Sequence, residues 1–512
     1  MAPEPSDKSR KGDVEEVVDV GDGKDITIPP EVIPRYVPAS DEERALDRSV
    51  NLKLDFTVLL VLAISFILCG IDKTNVGFVA TSSFVKDANL EPDDIPNSLS
   101  LFSATYVPLQ PIMVILGRRV GPRWWLACSL GAWGCLSMAH AGIRSSGALI
   151  ALRLLLGVAE SGFTQTAFYY MSTMYPKFSL GLRMGLFSGM YSIASAFAGL
   201  IAYGLLHVET ETIHGWQAVF LVEGGLTILI ALIALFVFPT NVGTAWFLNA
   251  KERAHAVARM QRDLAGAQEL MEHGEAGSRM AELKRDIVDV AKDWKKLLTV
   301  VFNITSVLPV TAFTTFLPLI VQGIGYKGID ATLMSVPPFV VGSIGLVIIV
   351  YSSDHFRERS LHTVFGMLLG LIGCAVMAAS SDPKLRYGFA HVCLSGVFAG
   401  GPLIAVWLAG NTPWTGARSL VLGINGYSNL AGVIAGQLFK SKYGPSYKYP
   451  LTVTMIITAV GMLGFVFVRV MYMLENRRRR KMVASWDEAR FLEERFSTER
   501  RGDQRYTWIY AY

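Results

Sequence analysis

Leu54 to Ala80 reads LDFTVLLVLAISFILCGIDKTNVGFVA. No charge interrupts it between Phe56 and Ile71, and as an α-helix it is long enough to cross a hydrocarbon core of about 30 Å. Asp72 and Lys73 then stand side by side, Thr74 and Asn75 add polarity within one turn, and the apolar run resumes from Val76 to Ala80. A charge inside a membrane helix costs at least about 2.5–3.5 kcal/mol by insertion scales, so each needs a partner, a wet cavity or a function. This stretch predicts a membrane-spanning helix carrying an internal ionic site; the alternative is a helix end whose charges reach the headgroups.

The rest of the chain has the same character. Hydrophobic residues make up 51% of it and charged residues 18%, a balance that does not suit a water-soluble globule of this length. Apolar blocks predict helices near 54–80, 97–117, 124–143, 147–175, 183–206 and 216–238, then near 297–322, 333–352, 361–380, 386–410, 417–440 and 450–474. The expected organisation is a disordered tail over 1–53, a six-helix bundle over 54–238, a central loop over 239–296, a second six-helix bundle over 297–474 and a charged tail over 475–512. Within the loop, Ala250 to Leu264 and Met280 to Val290 read as amphipathic surface helices. The first span is expected to target the protein, since no signal peptide precedes it.

Lysine and arginine placement orients the helices. In the first half, loops on the side of the N-terminus hold Arg118, Arg119, Arg123, Lys177 and Arg183, and the opposite loops only Lys86 and Arg144. That asymmetry predicts cytoplasmic N- and C-termini, as does the run Arg477 to Lys481. Lys384, Arg386, Lys440, Lys442 and Lys448 run against it in the second half.

The charges within apolar blocks are Asp72, Lys73, Arg153, Glu160 and Glu223. Arg153 and Glu160 lie nearly two turns apart on one helix face, with Gly157 between them leaving room for a neighbouring helix or a ligand; the pair reads as a site or as a structural ion pair. Glu223 reads as interior or interfacial. Pro108, Pro111, Pro318, Pro337, Pro338 and Pro402 break helices, which is tolerated where neighbours or a cavity satisfy the freed backbone groups. Helix glycines such as Gly432 and Gly436 read as close-packing positions. Asn411, Asn425, Asn429 and Gln437 place neutral hydrogen-bonding groups in the second half, for substrate recognition or for interhelical bonds.

Other chemistries find little support. No phosphate-binding loop occurs, so nucleotide is not expected to drive the protein. The histidines are scattered, and Cys69, Cys128, Cys135, Cys374 and Cys393 fall in apolar blocks without metal-ligand spacing. Neither an enzyme, a cofactor, a metal site nor a nucleic-acid partner is expected, the net charge being only +4 with no basic groove.

Specific motifs carry a resemblance. Asp72-Lys73-Thr74-Asn75-Val76-Gly77 resembles the signature closing the first helix of the anion:cation symporter family of the major facilitator superfamily, the group of the fungal allantoate, nicotinate and pantothenate permeases. Arg118-Arg119-Val120-Gly121-Pro122-Arg123 resembles its loop between helices two and three. The run from Arg153 to Phe163, followed by Tyr169-Tyr170 and Tyr175-Pro176, resembles its fourth helix. Further likenesses are Phe316-Leu317-Pro318, Val336-Pro337-Pro338, Ser353-Asp354, and Trp407, Asn411, Arg418, Asn429, Gly436-Gln437 and Phe439. Arg118 stands where the superfamily carries an acid, and Gln110, Val114 and Ser179 depart from the family's usual residues.

The resemblance implies the major facilitator fold and a proton-coupled symporter of a small organic anion, a vitamin-like or nitrogen-rich carboxylate, working as a monomer in the plasma membrane. It implies Asp72 and Glu160 as proton carriers, Lys73 and Arg153 as their cationic partners, and a cycle in which an anion competing for Arg153 leaves Glu160 to protonate. Lys73, Asn75, Arg153, Asn425 and Asn429 are the expected substrate contacts. Arg118, Arg119 and Gly121, with Asp354 and Arg357 in the second half, are expected in gating or structural roles. Proton-driven efflux of a secondary metabolite and a non-transporting nutrient receptor are the alternatives.

Overall fold

The computed structural model describes residues 17–19, 25–27, 38, 40–91, 93–208, 210, 212–272, 279–413, 415–495, 500 and 502–512. Apart from a short antiparallel pair, β1 (Val17–Asp19) with β2 (Asp25–Thr27), its regular structure is helical.

The first span is α1 (Asp41–Leu54) running through a π turn at Asp55–Leu59 into α2 (Leu60–Val79), followed by the short α3 (Phe84–Asp87). Spans two to six are α4 (Asp94–Val120), α5 (Pro122–Ala139), the broken pair α6 (Ser146–Glu160) and α7 (Phe163–Met174), α8 (Lys177–Leu206) and α9 (Gly215–Val237). The central loop holds α10 (Ala250–Glu272) and α11 (Arg279–Lys292). The second half comprises α12 (Trp294–Ile324), α13 (Ile329–Phe356), α14 (Ser360–Ala379), α15 (Pro383–Gly410), the broken pair α16 (Thr415–Asn425) and α17 (Ala431–Leu438), and α18 (Lys448–Val483), with α19 (Glu488–Arg495) in the tail. Among the described residues, ten of these helical runs are long and apolar enough to cross a membrane. Span three (α5) and span eleven (α16–α17) complete the twelve by position. Large side chains such as Phe56, Phe236 and Leu463 point outward, as suits helices solvated by lipid.

Within the first bundle α2 packs on α8 and α9, α4 on α6, and α5 on α9; in the second α15 packs on α12, α13 and α14, and α18 on α12 and α14. The halves meet chiefly where α2 packs on α12, α8 on α13 and α4 on α17. Gly157 settles its alternatives in favour of a neighbouring helix: a methyl there would collide with Thr105 and the Phe102 carbonyl of α4. Both interrupted spans break at glycine. After Glu160 the chain turns at Ser161-Gly162, where a side chain on Gly162 would press on Met113 and Trp125; between α16 and α17, Gly426–Leu430 winds as a 3₁₀ turn.

Residues 41–53, expected to be disordered, are helical. Ser40 caps α1 by accepting from the Glu43 amide, and Asp41, Glu42 and Glu43 occupy the first turn, where carboxylates suit the helix dipole. The helix is then tied to α10 by Lys53–Glu252 at 2.7 Å and by Asp47 with His255 at 2.9 Å and Arg259 at 3.1 Å. The charged tail also turns back onto the fold: Lys296 pairs with Asp503 at 2.7 Å, and the Arg359 amide donates to Tyr512 O at 2.8 Å. Helices α1 and α10 and the described part of the C-terminal tail therefore lie at one end of the bundles, the tail end.

The far end explains the contrary charges of the second half. Arg386 is buried and donates to the carbonyls of Met377 and Ser446, Lys440 donates to Asn97, and Lys448 to Ser381 at 3.0 Å. Arg386 and Lys448 thus hold loops and Lys440 the seam between the halves, which gives each of these three a local reason for its place.

Candidate functional site

The site begins where the first span turns polar. Asp72, Thr74 and Asn75 are buried on α2, and Lys73 points toward a cavity of about 50 Å³. Its wall includes Lys73, Phe102, Tyr106, Arg153 and Tyr191 from the first half, and Thr311, Thr314, Thr315 and Asn429 from the second. That volume holds a few water molecules, so a solute enters only when the halves separate further.

Lys73 Nζ stands 3.6 Å from Glu160 Oε2 and 4.2 Å above the ring centre of Tyr106. The cation therefore has a carboxylate behind it and an aromatic face beside it, the latter worth roughly 0.5–2 kcal/mol. Cys69 Sγ donates to the same Glu160 oxygen at 3.6 Å. The expected Arg153–Glu160 pair is corrected: Arg153 makes no ion pair with Glu160 among the described residues, and its Nη2 donates to Asn75 Oδ1 at 3.2 Å. Sharing a helix face aligns two side chains, but Lys73 from the neighbouring helix reaches the carboxylate.

Asn75 is the junction of a second group. Its Nδ2 donates to Asp72 Oδ1 at 3.2 Å and to Glu223 Oε2 at 2.9 Å, while Ser137 Oγ donates to Asp72 Oδ1 at 2.6 Å. Glu223 is thus interior, not interfacial. Asn75 itself lies behind the cavity wall, fully buried.

The second-half residues divide. Asn429 lines the cavity from the 3₁₀ turn, its Nδ2 donating to Gly426 O at 2.9 Å. Asn425 instead accepts from Asn303 Nδ2 at 2.8 Å. Gln437 donates to Ser100 Oγ across the seam at 3.0 Å, and Asn411 binds the C-terminal tail. Sequence reasoning missed Phe102, Tyr106, Tyr191 and the threonines of α12, because aromatic and hydroxyl residues in apolar blocks look the same whether they face a cavity or a neighbour. The glycines around Gly426 were the available sign of a broken span.

The loop motifs lie at helix ends. Gly121 takes φ 103° between α4 and α5, a left-handed conformation that glycine adopts without strain. Arg119 is exposed, the side chain of Arg118 lies outside the described residues, and Arg123 donates to Leu235 O at 2.7 Å, closing the end of α9. Asp354 pairs with Arg359 at 2.5 Å, while Arg357 is exposed in the left-handed cap of α13. In the tyrosine motifs, Tyr170 bonds Pro239 O at 2.6 Å, and Tyr175 with Arg183 holds Asp55.

Two helical bundles meeting around a small charged cavity, with lipid-suited exteriors, have the layout of a membrane transporter. Residues 62–426 match the model of the Major Facilitator Superfamily, and the chain belongs to that superfamily. It is 30% identical over 442 residues to the MFS-type transporter efuF of Hormonema carpetanum, covering 86% of this chain and 88% of that one. It is 29% identical over 443 residues to the major facilitator-type transporter hxnP of Emericella nidulans, covering 85% and 88%. With the high-affinity nicotinic acid transporter of Saccharomyces cerevisiae it shares 26% identity over 440 residues, covering 86% and 80%. Among solved structures it resembles the D-xylose-proton symporter, with a TM-score of 0.59 at 15% identity over 81% of this chain and 97% of that one, a likeness of fold.

Proposed function

We propose that this protein is a proton-coupled symporter of a small organic anion, a vitamin-like or nitrogen-rich carboxylate. The observation that carries the reading is Lys73, which stands on the cavity wall with Glu160 behind it at 3.6 Å. An anion entering the cavity competes with Glu160 for the Lys73 ammonium. Glu160, left in a dry site without its counter-charge, takes up a proton, since a lone buried carboxylate is far costlier than a neutral acid. Proton and anion then cross together as the halves rock around the site. Arg153, also on the wall, offers a second charged contact, and Tyr106, Phe102 and Tyr191 offer flat apolar surface to a ring or chain.

The nicotinic acid transporter among the relatives supports a heteroaromatic carboxylate as the first compound to try. The first-half lysine and arginine pattern supports tails in the cytoplasm; plasma-membrane residence and a monomeric carrier complete the reading. The experiment is paired uptake and counterflow in reconstituted vesicles across nicotinate, pantothenate, allantoate, biotin and short carboxylates. Glu160→Gln, which can neither release nor accept the proton, should lose pH-driven accumulation while retaining exchange of labelled for unlabelled substrate. Wild-type accumulation by that variant would assign Glu160 to structure.

A further inference from the structure

Behind the cavity wall the buried charges do not balance. Asp72, Glu160 and Glu223 are three carboxyl groups, and they face two cations, Lys73 and Arg153. Lys73 is taken by Glu160. Among the described residues Arg153 is linked to the other two acids by hydrogen bonds through Asn75, whose carbonyl accepts from Arg153 Nη2 and whose two amide hydrogens go to Asp72 Oδ1 and Glu223 Oε2. One oxygen of each of the three acids, Asp72 Oδ2, Glu160 Oε1 and Glu223 Oε1, is buried without a hydrogen-bond partner. Two ionised carboxylates sharing one amide and one indirect arginine would leave a net buried negative charge, which desolvation makes prohibitive. One proton completes the group.

Glu223 is the better seat for that proton. Asp72 Oδ1 already accepts two hydrogen bonds, from Ser137 Oγ at 2.6 Å and from Asn75, whereas Glu223 accepts one such side-chain bond, from Asn75. The charged and titratable groups around Glu223 are Asp72 on α2, Arg153 on α6 and, at the end of α5 beyond them, His140; α8, which also packs on α9, brings none to it among the described residues.

We propose that Glu223 is a second proton-exchanging residue of the transport cycle, holding a proton in the closed carrier and releasing it when Arg153 turns toward it in the substrate-free cycle. This rests on the symport reading above. With Glu223 counted, an anion that draws Arg153 as well as Lys73 into the cavity leaves both acid groups without cations, and each additional negative charge on the substrate is matched by a proton.

The test has two arms. Infrared difference spectroscopy of the purified protein should show a protonated buried carboxyl band that is absent in Glu223→Gln and restored in Glu223→Asp. In vesicles, Glu223→Gln should keep substrate counterflow within about two-fold of wild type but show a shallower pH profile and fewer protons moved per substrate. An unchanged infrared band, or a wild-type pH profile and proton ratio in a variant that still exchanges substrate, would overturn the proposal. Should wild type carry no protons at all, the symport reading fails and this inference with it; proton-coupled wild type with an unaltered Glu223→Gln ratio sinks this inference alone.

Discussion

Asn411 and Ala511 exchange two hydrogen bonds: Asn411 Nδ2 donates to Ala511 O at 3.0 Å, and the Ala511 amide donates to Asn411 Oδ1 at 2.7 Å. Asn476 makes the same reciprocal pair with Tyr510 at 2.8 and 2.9 Å, and Trp407 Nε1 also donates to Ala511 O. Residues 510 and 511 are thus packed, without regular structure, onto the tail end of the second bundle. Asn411→Ala should lower the thermal unfolding midpoint through loss of two bonds, roughly 1–3 kcal/mol, and leave substrate preference unchanged. A shift in substrate preference at wild-type stability would return Asn411 to the substrate site.

Arg153 and Asn429 test the cavity from its two sides. Arg153→Gln should weaken anion binding by roughly 1.5–3 kcal/mol, the worth of a charge-assisted contact, read as the ligand-dependent rise in melting temperature. Asn429→Ala should change the ranking of substrates, whereas Asn425→Ala, which unpairs buried Asn303, should reduce stability without re-ranking them. Identical rankings for Asn429→Ala and wild type would assign Asn429 to packing.

Gly77 of α2 has no clearance against α12: a methyl there would run into the Thr315 carbonyl, and one at Gly436 would strike Pro96 O and Ser100. Helix backbone cannot step aside as a flexible side chain can. Gly77→Ala should therefore hold the far end apart, at a cost of about 1–3 kcal/mol to the closed form. Labelling of Ser441→Cys, whose serine bonds Asp93 across the seam at 2.6 Å, should rise in the Gly77→Ala background while transport falls. Unchanged labelling with full transport would show that the seam does not close as tightly in the working carrier.

The brace between α1 and α10 is acid-sensitive. Burial opposes ionisation of Glu252, but bonds from Lys53, Ser49 and the Asn249 amide outweigh it and hold the carboxyl at about 2, below its ordinary 4.5. A carboxyl depressed on folding contributes stability that is full above its unfolded value and lost as pH falls through the folded one. The stability difference between wild type and Glu252→Gln should be constant near neutrality and shrink below about pH 4.5. Lys53 is partly exposed, so the effect is expected at roughly 1–2 kcal/mol. A difference independent of pH down to the acid limit would remove the charge from the account.

Membrane class, the helical fold and which charges fall inside apolar blocks were legible along the chain, because hydrocarbon forbids unpaired charge and sets span length; LDFTVLLVLAISFILCGIDKTNVGFVA alone carries both constraints. Partner choice was not legible. Helical periodicity put Arg153 and Glu160 on one face, yet Lys73 reaches Glu160 from the next helix and Asn75 intercepts Arg153. Asn429 and Asn425 are alike in sequence, and a 3₁₀ turn sends one into the cavity while the other bonds Asn303. Span length and charge cost are properties of single segments in a solvent, so the sequence determined them; which carboxylate meets which cation depends on how helices distant in the chain are packed and rotated against one another, and only the tertiary structure decided that.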